Sequence, residues 1–405
     1  MLFRSWLLLA ATVGAAASAE DGRDYVAVVL LGSTGNLAKK YLWQSLLNAG
    51  EDAAFDVVVL PAATKKAAIG QPLVAAALIE NVTYAGAASR AAFDARILPY
   101  HQLRSDGDYS TAAATLAEYA RSRAGREIGR LWYLAVPPKF YGGIAKNIHA
   151  QGRPPSSAAA PSWMRVVFEK PFGSSFDSAK ALAATLADSG LDEPEIYRVD
   201  HYLGKAAVRA LLPFRAANKL AFEIEGATNA ARLPASWGHT DAEGRATALT
   251  LERVEVAMKE TEDCEGRTSF YDSYGVVRDV LQNHLTEIAA ASLMELPALE
   301  ASLGKIKAAK ANFMEALRWE SGPGSASAFS GAFVAQYAGY RAHVATDEWT
   351  KGDASTTTPT FAAVSLASTR SGWTRAAADD FSAIVDVPIF LLGEFIYRYS
   401  LCESC

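Results

Sequence analysis

The sequence predicts an α/β protein with an N-terminal doubly wound parallel sheet and a C-terminal α+β domain. In the first half, apolar β-branched runs alternate with helical patterns, and strands separated by helices form parallel sheets. After about residue 198 this alternation stops, and strands and a long helix are mixed. A chain of 405 residues, half of them apolar, can form two domains with full cores.

The strands of the first half are predicted where apolar residues follow one another without interruption. In order they are YVAVVLLGS, FDVVVL, LWYLAV and MRVVFEK. Helices are predicted at LAKKYLWQSLLNAG, which Gly50 would close, and at YSTAAATLAEYARSRA and SFDSAKALAATLADSG. We assign residues 20–198 to this parallel-sheet domain.

The second half contains the strands LTLERVEVAMKE and PTFAAVSLAS and one long amphipathic helix, GVVRDVLQNHLTEIAAASLMELP. These elements predict an α+β domain over residues 199–405. Two stretches rich in small and polar residues are predicted to be surface loops: QGRPPSSAAAPS and EIEGATNAARLPASWGHTDAEGRAT.

The N-terminus predicts a signal peptide over residues 1–19. Arg4 precedes an apolar run, and Ala17-Ser18-Ala19 offers a cleavage site. A membrane anchor is the alternative, but the run is short for a bilayer span. Asn81 begins an N-x-T glycosylation sequon. These features predict the secretory pathway and no membrane partner.

Charge and cysteine content exclude two further classes. A net charge of −5 lacks the basic footprint of a nucleic-acid-binding protein. Three cysteines are too few for a disulfide scaffold. Two of them, Cys402 and Cys405, have C-x-x-C spacing, but no strand–helix pattern beside them supports a redox site.

A glycine turn joins the first predicted strand to the first helix. Gly32 and Gly35 have the spacing G-x-x-G-x-x-A. Glycines at this place let the backbone approach a pyrophosphate, which the helix N-terminus attracts. The turn therefore indicates a Rossmann-type dinucleotide site, and a tight turn without a ligand is the alternative.

The end of the second strand bears on the choice of cofactor. An acid there usually binds the ribose hydroxyls of NAD, but Lys65 and Lys66 follow this strand instead. Two lysines favour the 2′-phosphate of NADP. Neither is a bidentate arginine, so NAD remains an alternative.

Three stretches carry candidate catalytic groups. His284 lies among hydrogen-bonding residues on the long helix and could act as a base, although this helix alone favours a structural histidine. Lys170 ends a parallel strand and would point into the ligand crevice, or be an ordinary strand-end lysine. The stretch IYRVDHYLGK is a polar turn, an ion pair or the site of an anionic substrate.

Five motifs, taken together and in order, resemble the glucose-6-phosphate dehydrogenase family, most of all its endoplasmic-reticulum members. They are LGSTGNLAKKYLWQ, VVFEKPFG, YRVDHYLGK, MKETEDCEGRTSFYDSYGVVRDVLQNHL and TPTFAAV. The resemblance covers about residues 24 to 373. It implies a mainly antiparallel second sheet, a homodimer as in the family, and NADP-linked oxidation of glucose 6-phosphate at C1, the first step of the oxidative pentose phosphate pathway.

The resemblance also implies a role for each matching residue. His284 would be the general base, and Asp200 would orient it. The substrate would be held by Lys170, His201, Tyr202, Lys205, Glu260 and Asp279, of which His201, Tyr202 and Lys205 would bind the phosphate. The cofactor would be held by Gly32, Ser33, Gly35, Asn36, Leu37, Lys39 and Lys170.

The sequence departs from the family pattern in two places, and the altered tail motivates the first of two rival hypotheses. Asn36 replaces the aspartate that usually follows the second glycine, and the sequence after Trp373 differs from the family's, so we expect an altered or truncated C-terminus. If VPIFLLGE aligns, Glu394 stands where a phosphate-binding lysine is expected. The rivals are a catalytically impaired luminal binding protein and a Rossmann oxidoreductase for unphosphorylated sugars.

Overall fold

The computed structural model describes residues 23–217, 254–260, 263–266, 268–296, 303–319, 332–347, 355–368, 374–376, 384–386 and 389–395. The chain divides between Gly204 and Lys205 into two compact units, an N-terminal unit and a C-terminal unit. Among the described residues, no helix has the length and apolar character to span a bilayer.

The N-terminal unit is a six-stranded, wholly parallel sheet with the strand order β3-β2-β1-β4-β5-β6. Its strands are β1 (Tyr25–Leu31), β2 (Asp56–Ala63), β3 (His101–Gln102), β4 (Glu127–Leu134), β5 (Trp163–Glu169) and β6 (Ile196–Val199). The helices are α1 (a π-helical turn at Ala38–Leu42 continuing as Trp43–Asp52), α2 (Ala67–Glu80), α3 (Ala87–Asp94), α4 (Asp106–Arg121), α5 (Tyr141–Gln151) and α6 (Phe176–Ala187).

Helices cover both faces of this sheet, and for this reason the sequence of β1 is an unbroken apolar run. All seven of its residues are buried. Val26, Val28 and Leu30 pack with α1, α2 and α3 on one face. The alternate residues, such as Val29, pack with α4, α5 and α6 on the other, as the two-residue period of a strand requires.

The C-terminal unit combines a mixed sheet with four helices in its described part. Its elements are α7 (Ala206–Ala217), β7 (Val254–Glu260), α8 (Thr268–Val276, a π-helical segment Val277–Leu285, then Thr286–Leu293), α9 (Leu303–Glu315), β8 (Leu317–Trp319), β9 (Ala332–Ala335), α10 (Tyr340–Thr346), β10 (Phe361–Ser368), β11 (Thr374–Ala376), β12 (Ile384–Asp386) and β13 (Ile389–Phe395). The sheet order is β7-β13-β10-β8, with β9 also paired to β10.

Three of the four pairings in this sheet are antiparallel, and only β13 with β7 is parallel. The sequence around Glu394 forms β13, an inner strand between β7 and β10. The backbone of Glu394 is opposite Phe361 of β10. The predicted α/β class, with a parallel N-terminal sheet and a mainly antiparallel second sheet, is confirmed. The predicted loop at 223–247 lies outside the described residues.

The long predicted helix begins at Gly275, where α8 has a kink, because the φ of Gly275 is 66° and lies outside the helical region. Val276 instead donates its backbone N–H to the carbonyl of Pro359, 3.0 Å away. Near the other end, the buried Arg215 of α7 donates to the carbonyls of Ala291 and Met294 at 2.8 and 2.7 Å. Burial lowers the pKa of this guanidinium to about 10, and the two bonds cap the end of α8.

Candidate functional site

The glycine turn after β1 depends on Gly32. Its φ is +82°, and an added Cβ would lie 2.1 Å from the carbonyl oxygen of Ala135. Its N–H donates to the carbonyl of Ala62 at the end of β2, 2.8 Å away. Only glycine fits a left-handed backbone pressed this closely against a neighbouring chain segment.

The rest of the turn is held by hydrogen bonds at Ser33 and is exposed to solvent at Gly35 and Asn36. Ser33 is fully buried, its hydroxyl donates to the carbonyl of Ala62 at 3.1 Å, and its own carbonyl accepts from the Trp43 indole at 3.2 Å. Gly35 and Asn36 are exposed at the start of the helix, and Leu37 and Lys39 are half-buried. An exposed helix start next to a strand's carboxyl end fits the phosphates of a dinucleotide.

Two lysines follow β2, the strand next to the glycine turn. Lys65 and Lys66 are both exposed, and the carbonyl of Lys65 accepts from the hydroxyl of Tyr100 at 2.9 Å. Their position is the one predicted for a cofactor 2′-phosphate, since the ribose normally meets the end of this strand.

Lys170 follows the last residue of β5 and is half-buried. Its peptide bond to Pro171 is cis. The preceding Glu169 is buried: the Tyr133 hydroxyl donates to its carboxylate, and the Tyr141 hydroxyl donates to its carbonyl at 2.6 Å. Two tyrosines therefore fix the backbone and the side chain immediately before Lys170. Sequence reasoning did not identify them.

Burial raises the pKa of Glu169 above its ordinary value, and the charge of Asp200 acts in the same direction. The hydrogen bond from Tyr133 and the charge of Lys170 oppose this shift. The folded protein therefore holds the Glu169 proton more tightly than the unfolded chain does. The stability linked to this proton is complete below the unfolded pKa and is lost as the pH rises through the folded pKa.

Glu169→Gln keeps an acceptor for the Tyr133 hydroxyl and removes the titration. We expect this variant to be more stable than the wild type at about pH 8, and the gap to shrink by about pH 4, where the wild-type carboxyl is also protonated. Urea unfolding at both pH values measures the difference, with Glu118→Gln at an exposed position of α4 as the control. A gap that does not change with pH would contradict this account of Glu169.

The stretch IYRVDHYLGK divides into a structural part and a candidate binding part. Arg198 makes a bidentate ion pair with Glu193, at 2.8 and 3.2 Å. The half-buried carboxylate of Asp200 accepts the backbone N–H of Tyr202 at 2.9 Å and caps the 3₁₀ turn His201–Gly204. That turn contains His201, which is half-buried, and Tyr202, which is buried.

The N-terminal unit brings three of the predicted groups to one edge of its sheet. The glycine turn follows β1, Lys170 follows β5 and Asp200 follows β6, and these parallel strands have their carboxyl ends at the same edge. Ligands of open parallel sheets bind at this edge, next to the point where the strand order reverses. Here the order reverses between β1 and β4.

The remaining candidates belong to the C-terminal unit. Lys205 is exposed and accepts the N–H of Arg209 with its carbonyl, 2.9 Å away. Glu260 is the last residue of β7, and Asp279 and His284 lie on the π-helical segment of α8, which packs against β7. His284 is 2% exposed, whereas Glu260 and Asp279 are half-buried.

The π-helical segment changes which residues share a side of α8. A regular helix would pair Asp279 with Asn283, four positions on. Bonding from i to i+5 also brings Asp279 and His284, five apart, toward the same side. Asn283 supports the segment: its amide donates to the Arg278 carbonyl at 3.1 Å, and its oxygen accepts the N–H of His284 at 2.5 Å.

Comparisons with known proteins agree with the sequence motifs. The family model "Glucose-6-phosphate dehydrogenase, NAD binding domain" matches residues 29–210, and its C-terminal domain model matches residues 247–376. The rabbit (Oryctolagus cuniculus) "GDH/6PGL endoplasmic bifunctional protein" is 39% identical over 358 residues, which cover 85% of this chain. The chain spans only 40% of that relative's length.

Solved structures show the same fold. A glucose-6-phosphate 1-dehydrogenase from Mycobacterium avium is 26% identical, with a TM-score of 0.62 and coverage of 92% of this chain and 70% of its own. A glucose-6-phosphate dehydrogenase in complex with glucose 6-phosphate is 22% identical, with a TM-score of 0.67 and coverage of 93% and 70%. The predicted family is confirmed: the chain belongs to the glucose-6-phosphate dehydrogenase family of oxidoreductases and carries its NAD-binding domain.

Proposed function

We propose that the protein oxidises glucose 6-phosphate at C1 to 6-phosphoglucono-lactone with NADP. The observation that carries this proposal is the arrangement of the N-terminal unit, where the glycine turn, Lys170 and the Asp200–Tyr202 stretch follow strands at one sheet edge. A cofactor site and a candidate anion site at the same edge suit hydride transfer from a phosphorylated substrate.

The cofactor would be held at the start of α1. The glycine turn and the helix N-terminus suit its phosphates, and Lys65 and Lys66 suit a 2′-phosphate, so we favour NADP and keep NAD as the alternative. The binding residues would be Gly32, Ser33, Gly35, Asn36, Leu37, Lys39 and Lys170. NADP, when bound, supplies the acceptor for the hydride that leaves C1.

His284 would be the general base. Its imidazole would take the proton of the C1 hydroxyl while the C1 hydrogen leaves as hydride, so that the C1–O bond becomes the lactone carbonyl. Asp200 would orient the imidazole and stabilise its protonated form. In the C-terminal unit, His284 is buried, and its backbone N–H donates to the side-chain oxygen of Asn283. Both features fix the position of His284 on α8.

The substrate would be held by groups with different chemical tasks. His201, Tyr202 and Lys205 offer an imidazole, a phenol and an ammonium group to the phosphate dianion. Glu260 and Asp279 would accept hydrogen bonds from sugar hydroxyls, and Lys170 would contact both sugar and cofactor. All of these roles come from the matching positions of the family motifs.

The proposal is tested by following reduced-nicotinamide absorbance with purified full-length protein. We expect reduction of NADP with glucose 6-phosphate and far less with glucose, because only the phosphorylated sugar engages Lys205 and its neighbours. Silence with a folded sample would favour the impaired binding protein. Equal rates with both sugars would favour an oxidoreductase for unphosphorylated sugars.

Lys205→Thr should raise the KM for glucose 6-phosphate with a smaller effect on kcat. Loss of one charge-assisted hydrogen bond to phosphate corresponds to roughly 1.5–3 kcal/mol, or on the order of ten- to a hundredfold in KM. Steady-state kinetics measure the effect, and Lys180→Thr at an exposed site of α6 is the matched control. An unchanged KM would remove Lys205 from the phosphate site.

We also propose that the protein works as a homodimer in the lumen of the endoplasmic reticulum. The rabbit relative is named an endoplasmic protein, residues 1–19 have the pattern of a signal peptide, and Asn81 of the sequon is exposed at the end of α2. Expression in secretory cells tests this directly. A glycosidase-sensitive mass shift that Asn81→Gln abolishes would support the location. Light scattering would give the molar mass in solution, which tests whether the protein is a dimer.

A further inference from the structure

Three potential metal ligands meet on the C-terminal unit, apart from the groups assigned to the reaction. Asp263, Glu265 and His343 each offer one ligand atom, and these atoms all lie within 4.8 Å of one another. Asp263 and His343 are half-buried and Glu265 is exposed. Two come from the loop that precedes α8, and the third comes from α10.

The cluster has supporting hydrogen bonds around it. Asp263 Oδ1 accepts the N–H of Glu265 at 2.9 Å, which fixes the two acidic residues relative to each other. The Tyr337 hydroxyl lies 3.0 Å from Nδ1 of His343 and accepts the N–H of Cys264 at 3.1 Å. Tyr337 therefore orients the imidazole and anchors the loop, as outer groups of metal sites do.

The two elements that carry the cluster are also joined beside it. Asp347, just after α10, accepts the N–H and the hydroxyl of Thr268 at 3.1 and 2.5 Å. Tyr340 and Val344 of α10 are fully buried in the core that includes α8. The loop and α10, which carry the three candidate ligands, are therefore held together by contacts beside the cluster.

We propose that Asp263, Glu265 and His343 form a binding site for a divalent cation, with Zn²⁺ as the preferred ion. One imidazole nitrogen and two carboxylate oxygens match zinc's ligand preference, whereas Mg²⁺ and Ca²⁺ prefer oxygen alone. Three protein ligands leave the fourth position of a tetrahedron for water.

The bound ion would tie the loop before α8 to α10. Since α8 carries Asp279 and His284, the tie would stabilise the helix that positions these two groups. A ligand that binds only the folded state raises its stability. Zinc should therefore raise the unfolding temperature, whether or not the protein proves to be a dehydrogenase.

The test is zinc titration of metal-free full-length protein against a chromophoric chelator. Cys402→Ser/Cys405→Ser serves as the parent because a C-x-x-C pair also binds zinc. We expect one zinc per chain, an affinity reduced by about tenfold or more in His343→Gln and in Asp263→Asn, and a thermal shift lost with it. His149→Gln, at an exposed histidine of α5, is the control.

Three results would overturn the proposal. One is no zinc binding by the parent, which would leave a cluster of one histidine and two carboxylates without a cation. Another is binding that neither substitution weakens. The third is a sulfur ligand in the X-ray absorption spectrum, which would place the ion at Cys264. If His343→Gln fails to fold, Asp263→Asn and Glu265→Gln carry the test, since both positions are on a surface loop.

Discussion

His284→Asn is expected to lower kcat by about 10²–10⁴-fold, the usual contribution of a positioned general base. Asparagine keeps polarity and fits the buried space, but it cannot take the proton from the C1 hydroxyl. Stopped-flow or steady-state reduction of NADP measures the loss. Far-ultraviolet circular dichroism checks that the variant is folded.

His149→Asn is the matched control, because it removes an exposed imidazole from α5. Its turnover should equal that of the wild type. Near-normal turnover in His284→Asn would remove His284 from the base role. A fall in kcat together with lost secondary structure would instead identify His284 as a structural histidine of the core. Its 2% exposure is the reason for this alternative.

Gly32→Ala is expected to destabilise the N-terminal unit and abolish cofactor binding. The substitution puts a Cβ 2.1 Å from the Ala135 carbonyl oxygen and forces alanine to a φ of +82°. A left-handed backbone and overpacking together cost about 2 to 5 kcal/mol. The displaced turn would also no longer present the start of α1 to a pyrophosphate. Urea unfolding and fluorescence titration with NADP measure the two effects.

Gly143→Ala is the comparison for this substitution. Gly143 is an exposed residue within α5, and nothing lies within 4 Å of an added Cβ. Alanine there should stabilise the unit by about 0.5–1 kcal/mol. If Gly32→Ala unfolds at the wild-type urea concentration and still binds NADP, the assignment of the turn is wrong.

The parallel-sheet unit could be predicted closely from the sequence because its strands are buried on both faces. An unbroken apolar run at β1, followed by helix patterns, is typical of a parallel sheet covered on both faces. The spacing of the two glycines indicates the β1–α1 turn, where the structure leaves no room for a Cβ at Gly32. The position of Lys170 at a strand end followed from the same pattern, whereas β6, the strand that precedes Asp200, was not predicted from the sequence.

The support around these groups could not be predicted from the sequence. The bond from Tyr133 to Glu169 joins residues 36 positions apart on neighbouring strands, and no local pattern marks it. The π-helical segment was also missed, because its apolar spacing resembles that of an ordinary helix over so short a stretch. Tertiary contacts, such as Val276 with Pro359, decide where α8 is interrupted.

The C-terminal sheet shows a further limit of sequence reasoning. The sequence around Glu394 predicts an altered tail, yet β13 is an inner strand between β7 and β10. Its parallel pairing with β7, more than a hundred residues earlier, does not follow from local sequence.

The most direct test of the account is hydride transfer from glucose 6-phosphate deuterated at C1. The account predicts that the deuterium appears on the nicotinamide ring of the reduced cofactor, that 6-phosphoglucono-lactone forms in equal amount, and that His284→Asn loses both products together. Reduced cofactor without deuterium, or no reduction by folded protein that binds both ligands, would contradict it.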